Sequence, residues 1–330
     1  MKKIILAAAL MGSAFGALAE QVNIYSYRQP FLIEPILEKF TEQTGIKTNV
    51  VFAKSGIVER LQREGKLSPA DIVLTSNFAV LLQLEEAGLT QTINSEEVNK
   101  NVPAQFRDEN WVALTKRARA IYSAKTLGDK SDINYEDLAT AEYKGQICTR
   151  SGKHPYNLGL VSSMIAHHGE EKTLEWLQGV KDNLARRPQG NDRGQVKAIK
   201  EGLCTVSLGN SYYLGKMITD ENQKAWADAV NINFPNQNNR GTHVNVSGVV
   251  LTKHSKNQDS ALKLIEFLTQ DTAQGMYASV NYEYPVKEGV ELSELVASWG
   301  DFKVDSIAIS EAAKYRADAL RLLDQVKFDL

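Results

Sequence analysis

Two adjacent tyrosines, Tyr212 and Tyr213, follow Gly209-Asn210-Ser211, between a short apolar run and a helical pattern. A Tyr-Tyr pair by itself is ordinary packing, so its meaning depends on what else the chain places nearby. A third tyrosine, Tyr156, opens a helix after Arg150-Ser151-Gly152, and Arg28 follows the first strand-like segment. Arg117 and Arg119 stand two apart in an extended segment, which puts them on one face of a strand. Three phenols and several guanidiniums thus sit at strand ends, with no obvious carboxylate pair. A phenol with an ordinary pKa near 10 is a poor acid or base at neutral pH. A bound trivalent cation changes this, because a coordinating group is held deprotonated. Phenolate is a hard anionic oxygen donor that suits ferric iron, and three phenolates balance its charge. A small anion neutralised by Arg28 and Arg117 through forked hydrogen bonds would complete such a site. A helix amino terminus near Tyr156 or Tyr212 would add partial positive charge. Tyr27, Arg119 and His154 are further candidates for the same cleft, whereas Tyr25 reads as core. His167-His168 precedes Gly169 at a helix end, where basic side chains favour the dipole.

The elements that must position these residues follow a β-α-β-α-β-α rhythm. Gln21 to Ser26 alternates as a strand, and Phe31 to Phe40 has helical spacing ended by Gly45. Ile46 to Phe52 is a second strand, Ile57 to Gly65 a helix, Ile72 to Leu74 a buried strand and Ala79 to Ala87 a helix closed by Gly88. This order implies an α/β lobe with helices on both faces of its sheet. Trp111 to Tyr122 is long and extended and passes between lobes. A second α/β unit follows: a strand at Gln146 to Cys148, helices from Pro155 to His168 and from Leu174 to Leu184, and a helix capped by Asn191 or Asp192 running to Lys200. A strand at Thr205 to Leu208 then leads to the tyrosine pair. Asn231 to Phe234 is a strand, Thr242 to Gly248 a loop, and Val249 to Leu251 a strand returning to the first lobe. Ser260 to Thr269 and Thr272 to Ser279 are helices, Tyr284-Pro285-Val286 a fixed turn, and the tail one more helix from Ile309 to Leu323. Ligands in open α/β sheets sit at strand carboxyl ends, so the cleft between two such lobes is the natural site.

A length of 330 residues calls for two domains or lobes. Lys2 and Lys3, the apolar run from Ile4 to Leu10 and Ala17-Leu18-Ala19 form a cleavable export signal over residues 1–19, too short for a membrane anchor. The expected destination is the bacterial periplasm. Removing Lys2 and Lys3 from the 38 basic residues leaves 36 against 40 acidic ones, a formal charge of −4 with no basic patch, which argues against nucleic acid. Cys148 and Cys204 are the two cysteines, and an even count in an oxidising compartment suggests one disulfide. Closing a loop of that length is worth about 4 kcal/mol in the chain-entropy picture. Motifs of hydrolases, zinc proteases and nucleotide-binding loops are absent from the sequence.

Taken together, Asn23-Ile24-Tyr25-Ser26-Tyr27-Arg28-Gln29-Pro30, Leu67-Ser68-Pro69-Ala70-Asp71, Lys116-Arg117-Ala118-Arg119, Arg150-Ser151-Gly152, Gly190-Asn191-Asp192-Arg193-Gly194-Gln195 and Gly209-Asn210-Ser211-Tyr212-Tyr213 carry a resemblance. In this order the chain resembles the periplasmic ferric-ion-binding proteins of ABC iron importers, a branch of the type II periplasmic binding proteins. The resemblance spans nearly the whole mature chain. It implies a two-lobed fold, each lobe a mixed sheet flanked by helices, with residues 20–116 plus about 246–290 in one lobe and 117–245 plus about 291–330 in the other. It implies Tyr156, Tyr212 and Tyr213 as ligands of Fe(3+), Arg28 as the contact of a synergistic anion such as carbonate or bicarbonate, and Arg117 as a second anion contact. It also implies a monomer that closes on its cargo and docks on an inner-membrane permease driven by an ATPase. Many relatives place a histidine and a tyrosine just after the first-lobe arginine, where this chain has Gln29 and Pro30. That departure resembles the subgroup whose first lobe supplies no protein ligand, so Gln29 lines the cleft without a ligand role. The cysteine pair also looks like a feature of that subgroup.

Two other readings compete. In one, the same fold carries a small anion or organic ligand, with the arginines binding it and the tyrosines stacking on it. In the other, a periplasmic enzyme uses a tyrosine as acid or nucleophile.

Overall fold

The computed structural model describes residues 20–330; the expected export signal, residues 1–19, lies outside the described residues. The strands are β1 (Gln21–Ser26), β2 (Lys47–Phe52), β3 (Ile72–Thr75), β4 (Thr90–Gln91), β5 (Val112–Ala124), β6 (Ile147–Cys148), β7 (Val206–Asn210), β8 (Val230–Asn233), β9 (Val244–Thr252) and β10 (Tyr284–Pro285). The helices are α1 (Pro30–Thr44), α2 (Ile57–Glu64), α3 (Phe78–Glu86), α4 (Glu96–Asn101), α5 (Pro155–Asp182), α6 (Asp192–Lys200), α7 (Tyr212–Ile218), α8 (Lys224–Ala227), α9 (Gln258–Thr269), α10 (Asp271–Asn281), α11 (Glu294–Ala297), α12 (Ile309–Ala313) and α13 (Arg316–Gln325).

The sheet runs in the order β2-β1-β3-β9-β5-β7-β6. β1 pairs in parallel with β2 and β3, β9 runs antiparallel to β3 and β5, and β6 and β7 are parallel. β5 holds the two lobes together. Its residues Val112 to Ala118 pair with β9, and Arg119 to Ser123 pair with β7. At ~3.3 Å per residue, thirteen residues span about 40 Å. Nearly every side chain of this strand is buried, as expected where both faces are covered. One apolar core gathers Ile24, Val73, Trp111, Val249 and Ile265; a second gathers Ile121, Leu160, Trp176, Leu208 and Leu323.

Three local expectations are corrected. The segment from Thr242 to Gly248 is not a loop: β9 begins at Val244, with Asn245 opposite Arg117 and Ser247 opposite Thr115. Asn, Ser and Gly weaken a strand, but pairing between two buried neighbours outweighs that local preference. Tyr284-Pro285, expected as part of a fixed turn, is a short strand on β5, with the proline at a sheet edge where a missing N–H is tolerated. The tail is two helices, α12 and α13, rather than one. Ile309 packs into the first core while Ala319, Leu322 and Leu323 pack into the second, so the helix breaks where it changes partners. The division expected at Gly169 does occur: α5 runs through it with φ 77°, a conformation that favours glycine.

Cys148 and Cys204 are disulfide-bonded, with their Cα atoms 5.9 Å apart. The bridge ties β6, which leads to Tyr156, to the entry of β7, which leads to Tyr212 and Tyr213. Replacing both cysteines by serine is expected to lower unfolding free energy by about 2–4 kcal/mol. Urea unfolding of the double variant against the oxidised protein checks this, and coincident midpoints would remove the bridge from the stability account.

Candidate metal centre

Tyr156 lies in the first turn of α5. Pro155 supplies the pre-set φ of an initial helical residue, and His154 caps the helix, its Nδ1 accepting the Tyr156 backbone N–H at 3.3 Å. Burial and then the Arg150 charge push the His154 ring down to about 4, so it stays neutral and keeps that acceptor role at neutral pH. Its ring meets Tyr156 edge-on at 4.5 Å, and the Arg150 guanidinium lies 5.3 Å from the Tyr156 ring centre.

Tyr212 and Tyr213 open α7 directly after β7, which is buried along its length. The turn between them is held from several sides. Asn210 N–H donates to Asp192 Oδ2 at 3.0 Å, Ser211 N–H to the Ala118 carbonyl at 2.9 Å, and the Tyr122 hydroxyl to the Asn210 carbonyl at 2.8 Å. Gly209 has a packing reason: a Cβ there would come within 2.4 Å of the Tyr122 ring. The Tyr212 and Tyr213 ring centres are 4.1 Å apart. Burial raises both phenols, Tyr212 well above the ordinary value; Tyr156 and Tyr213 raise Tyr212 further, and Tyr156 raises Tyr213, whose hydrogen bond with Tyr212 works the other way. The three phenols are therefore close enough to interact electrostatically. Left to themselves Tyr212 and Tyr213 stay neutral; a multiply charged cation reverses that balance. Among the described residues no group of three or more His, Cys, Asp or Glu side chains is placed to hold a metal ion.

The arginines divide. Arg119 is a buried tie: Nη1 donates to Asp192 Oδ2 at 2.7 Å and to Asn210 Oδ1 at 3.1 Å, and Nη2 donates to Asn157 Oδ1 at 2.6 Å. It thus joins the start of α5, the start of α6 and the turn before Tyr212. Arg117, on the same face of β5, points the other way along the molecule, donating from Nη2 to the Ser76 carbonyl at 2.8 Å, with its guanidinium 6.0 Å from the Tyr212 ring centre. Arg28, at the end of β1, donates through both terminal nitrogens to Glu283, each at 3.0 Å. Arg117 Nη1 lies 3.9 Å from the same carboxylate. Burial alone would raise the Glu283 carboxyl; Arg28 and Arg117 overcome it and hold the group down to about 2.

Glu283 is a functional candidate that the sequence reading missed, and so is Lys216, one turn beyond Tyr212. Glu283 is 255 residues from Arg28, and nothing in its local pattern marks it. Lys216 was detectable in principle, since i and i+4 share a helix face. Of the remaining candidates, the Tyr27 hydroxyl accepts the Ile57 backbone N–H at 3.1 Å, which commits it to the start of α2. Gln29 is exposed and precedes α1 without capping it through its side chain. His168 pairs with Glu136 at 2.8 Å and His167 with Asp305 at 2.6 Å, in a separate network.

Known proteins resemble this chain along most of its length. Residues 36–304 match the family described as bacterial extracellular solute-binding protein. A ferric iron-binding protein A from Mannheimia haemolytica, solved in an open conformation, is 54% identical, with TM-score 0.91 over 94% of this chain and 100% of that one. A Trichodesmium protein solved in complex with iron and citrate ligands is 38% identical, with TM-score 0.90 over 93% and 99%. Iron uptake protein A1 of Synechocystis sp. is 41% identical over 312 residues, 93% of this chain and 87% of that protein. With its two α/β lobes joined through β5 and β9, the chain belongs to the bacterial extracellular solute-binding proteins, in the branch that contains the ferric-iron-binding proteins.

Proposed function

We propose that the protein binds ferric iron in the periplasm and delivers it to an inner-membrane permease and its ATPase. Tyr156, Tyr212 and Tyr213 are the protein ligands as phenolates, and a carbonate-like anion accompanies the metal. The observation that carries this reading is the convergence of three phenols, Tyr212 buried and Tyr213 half-buried, both raised by burial and then by Tyr156, in a region of surplus guanidinium charge. Arg28 and Arg117 supply positive potential for the anion, and Glu283 keeps them in place. The lobes are residues 20–116 with about 246–290, and 117–245 with about 291–330. β5 and β9 are the crossings about which they close over the cargo. Loss or protonation of the anion weakens the site and favours release. The names of the relatives, which include a ferric iron-binding protein and an iron uptake protein, support the same cargo.

Metal-free protein titrated with ferric iron in the presence of bicarbonate is expected to turn orange-red through a phenolate-to-iron charge-transfer band. No visible band at stoichiometric iron, with bicarbonate or with citrate, sinks the proposal. A colourless protein that binds the anion alone would instead favour the small-anion carrier.

A further inference from the structure

Lys216 is a cation without a partner in the cleft. Its Nζ lies 5.6 Å from the Tyr212 ring centre and 5.5 Å from that of Phe31, the second residue of α1 on the other lobe. The side chain is half-buried, and among the described residues it makes no hydrogen bond and no ion pair. A nearby carboxylate exists, but its capacity is taken: Glu283 accepts from both terminal nitrogens of Arg28 and from Asn281 Nδ2. Burial disfavours the Lys216 charge, Glu283 favours it from a distance, and Arg28 and Arg193 repel it. A partly desolvated ammonium beside like charges costs free energy unless an anion joins it.

The guanidiniums expected to grip that anion are partly engaged already. Arg28 is 5% exposed with its fork closed on Glu283, and Arg117 is 2% exposed with Nη2 on the Ser76 carbonyl. The Nε of each is buried without a hydrogen-bond partner, so each keeps an unused donor but little freedom to move it. Lys216 does have donors to spare: an ammonium carries three, on a flexible stem, at the phenol cluster itself.

We propose that Lys216 is the direct donor to the oxyanion that accompanies the metal, while Arg28 and Arg117, pinned by Glu283, act on that anion through their potential. The ligand class is a small carboxylate or carbonate-type anion. This assignment rests on the reading of the site as a ferric centre with a companion anion.

The test uses the full mature chain. Ferric iron is held at a fixed supply, and the anion concentration that half-develops the charge-transfer band is measured with bicarbonate and, separately, with citrate. Lys216→Gln is expected to raise that midpoint by about tenfold or more for the anion the site uses, the scale of a lost hydrogen bond to a charged group. Lys216→Arg is expected to restore most of the shift, which a merely structural role for the stem would not produce in an anion midpoint. The arm that shifts identifies the anion's source. An unchanged midpoint for both anions in Lys216→Gln, with the wild type coloured, overturns the Lys216 assignment alone. A colourless wild type with either anion overturns the ferric reading and this assignment with it.

Discussion

Replacing Tyr156, Tyr212 or Tyr213 by phenylalanine is expected to weaken ferric binding by roughly two orders of magnitude or more, about 3 kcal/mol or above. Each change removes one oxygen donor and one negative charge and leaves the ring in place. Packing is therefore largely conserved, and the loss should appear in affinity rather than in folding. The charge-transfer band should move or fade in each variant, and competition with a chelator gives the affinity. Thermal unfolding of the metal-free variants provides the folding control. His168→Ala serves as the negative control, because His168 pairs with Glu136 outside the phenol cluster. Wild-type affinity in any phenylalanine variant would remove that tyrosine from the ligand set.

The same chemistry sets a pH dependence. Burial and then the neighbouring Tyr156 phenol raise Tyr212 and Tyr213 in the metal-free protein, so both are protonated at neutral pH. Metal binding must release those protons. Affinity consequently falls as pH falls, by up to about tenfold per pH unit for each phenol deprotonated on binding. Acid is therefore expected to favour release of ferric iron from such a site.

Glu283→Gln is expected to cost about 3–5 kcal/mol of stability, since it leaves two buried guanidiniums without their counter-charge. Glu283 is fully buried, so solvent screening does little to soften the loss. Its carboxyl is held down to about 2 from an ordinary 4.5 by Arg28 and Arg117, against the opposing effect of burial. A depressed acid stabilises the fold above its ordinary value and loses that contribution as pH falls through the folded one. Wild-type stability should thus decline between about pH 4.5 and pH 2 in part through this group, and the variant should lack that part of the decline. Urea midpoints across this window measure both effects. A variant as stable as the wild type at pH 7, or one with an identical acid profile, would remove the Glu283 cluster from the stability account.

How much was legible beforehand depended on how local the signal was. Strand and helix periods are written in neighbouring residues, so β1, α1, β3, α5 and α9 were readable from spacing alone. Segments whose state depends on a distant partner were misread. β9 carries Asn245, Ser247 and Gly248, which look like loop residues until β5 lies alongside them. The tail looked like one helix because its apolar spacing is continuous, and it breaks because its two halves face different cores.

The candidate centre divides along the same line. By itself, the sequence determined the chemistry on offer: three phenols at strand ends, a cysteine pair able to bridge, and basic side chains to hold an anion. Only the tertiary structure decided which of those charges is free. Arg117 and Arg119 are two residues apart on one strand face, yet β5 changes partners between them, so one reaches Ser76 and the other Asp192. Glu283 arrives from 255 residues away to occupy Arg28, and among the described residues Lys216 is left beside Tyr212 without a hydrogen bond or ion pair. The reason is physical: a residue's type sets what bonds it can make, but in a buried site the strand order decides which partner reaches it first.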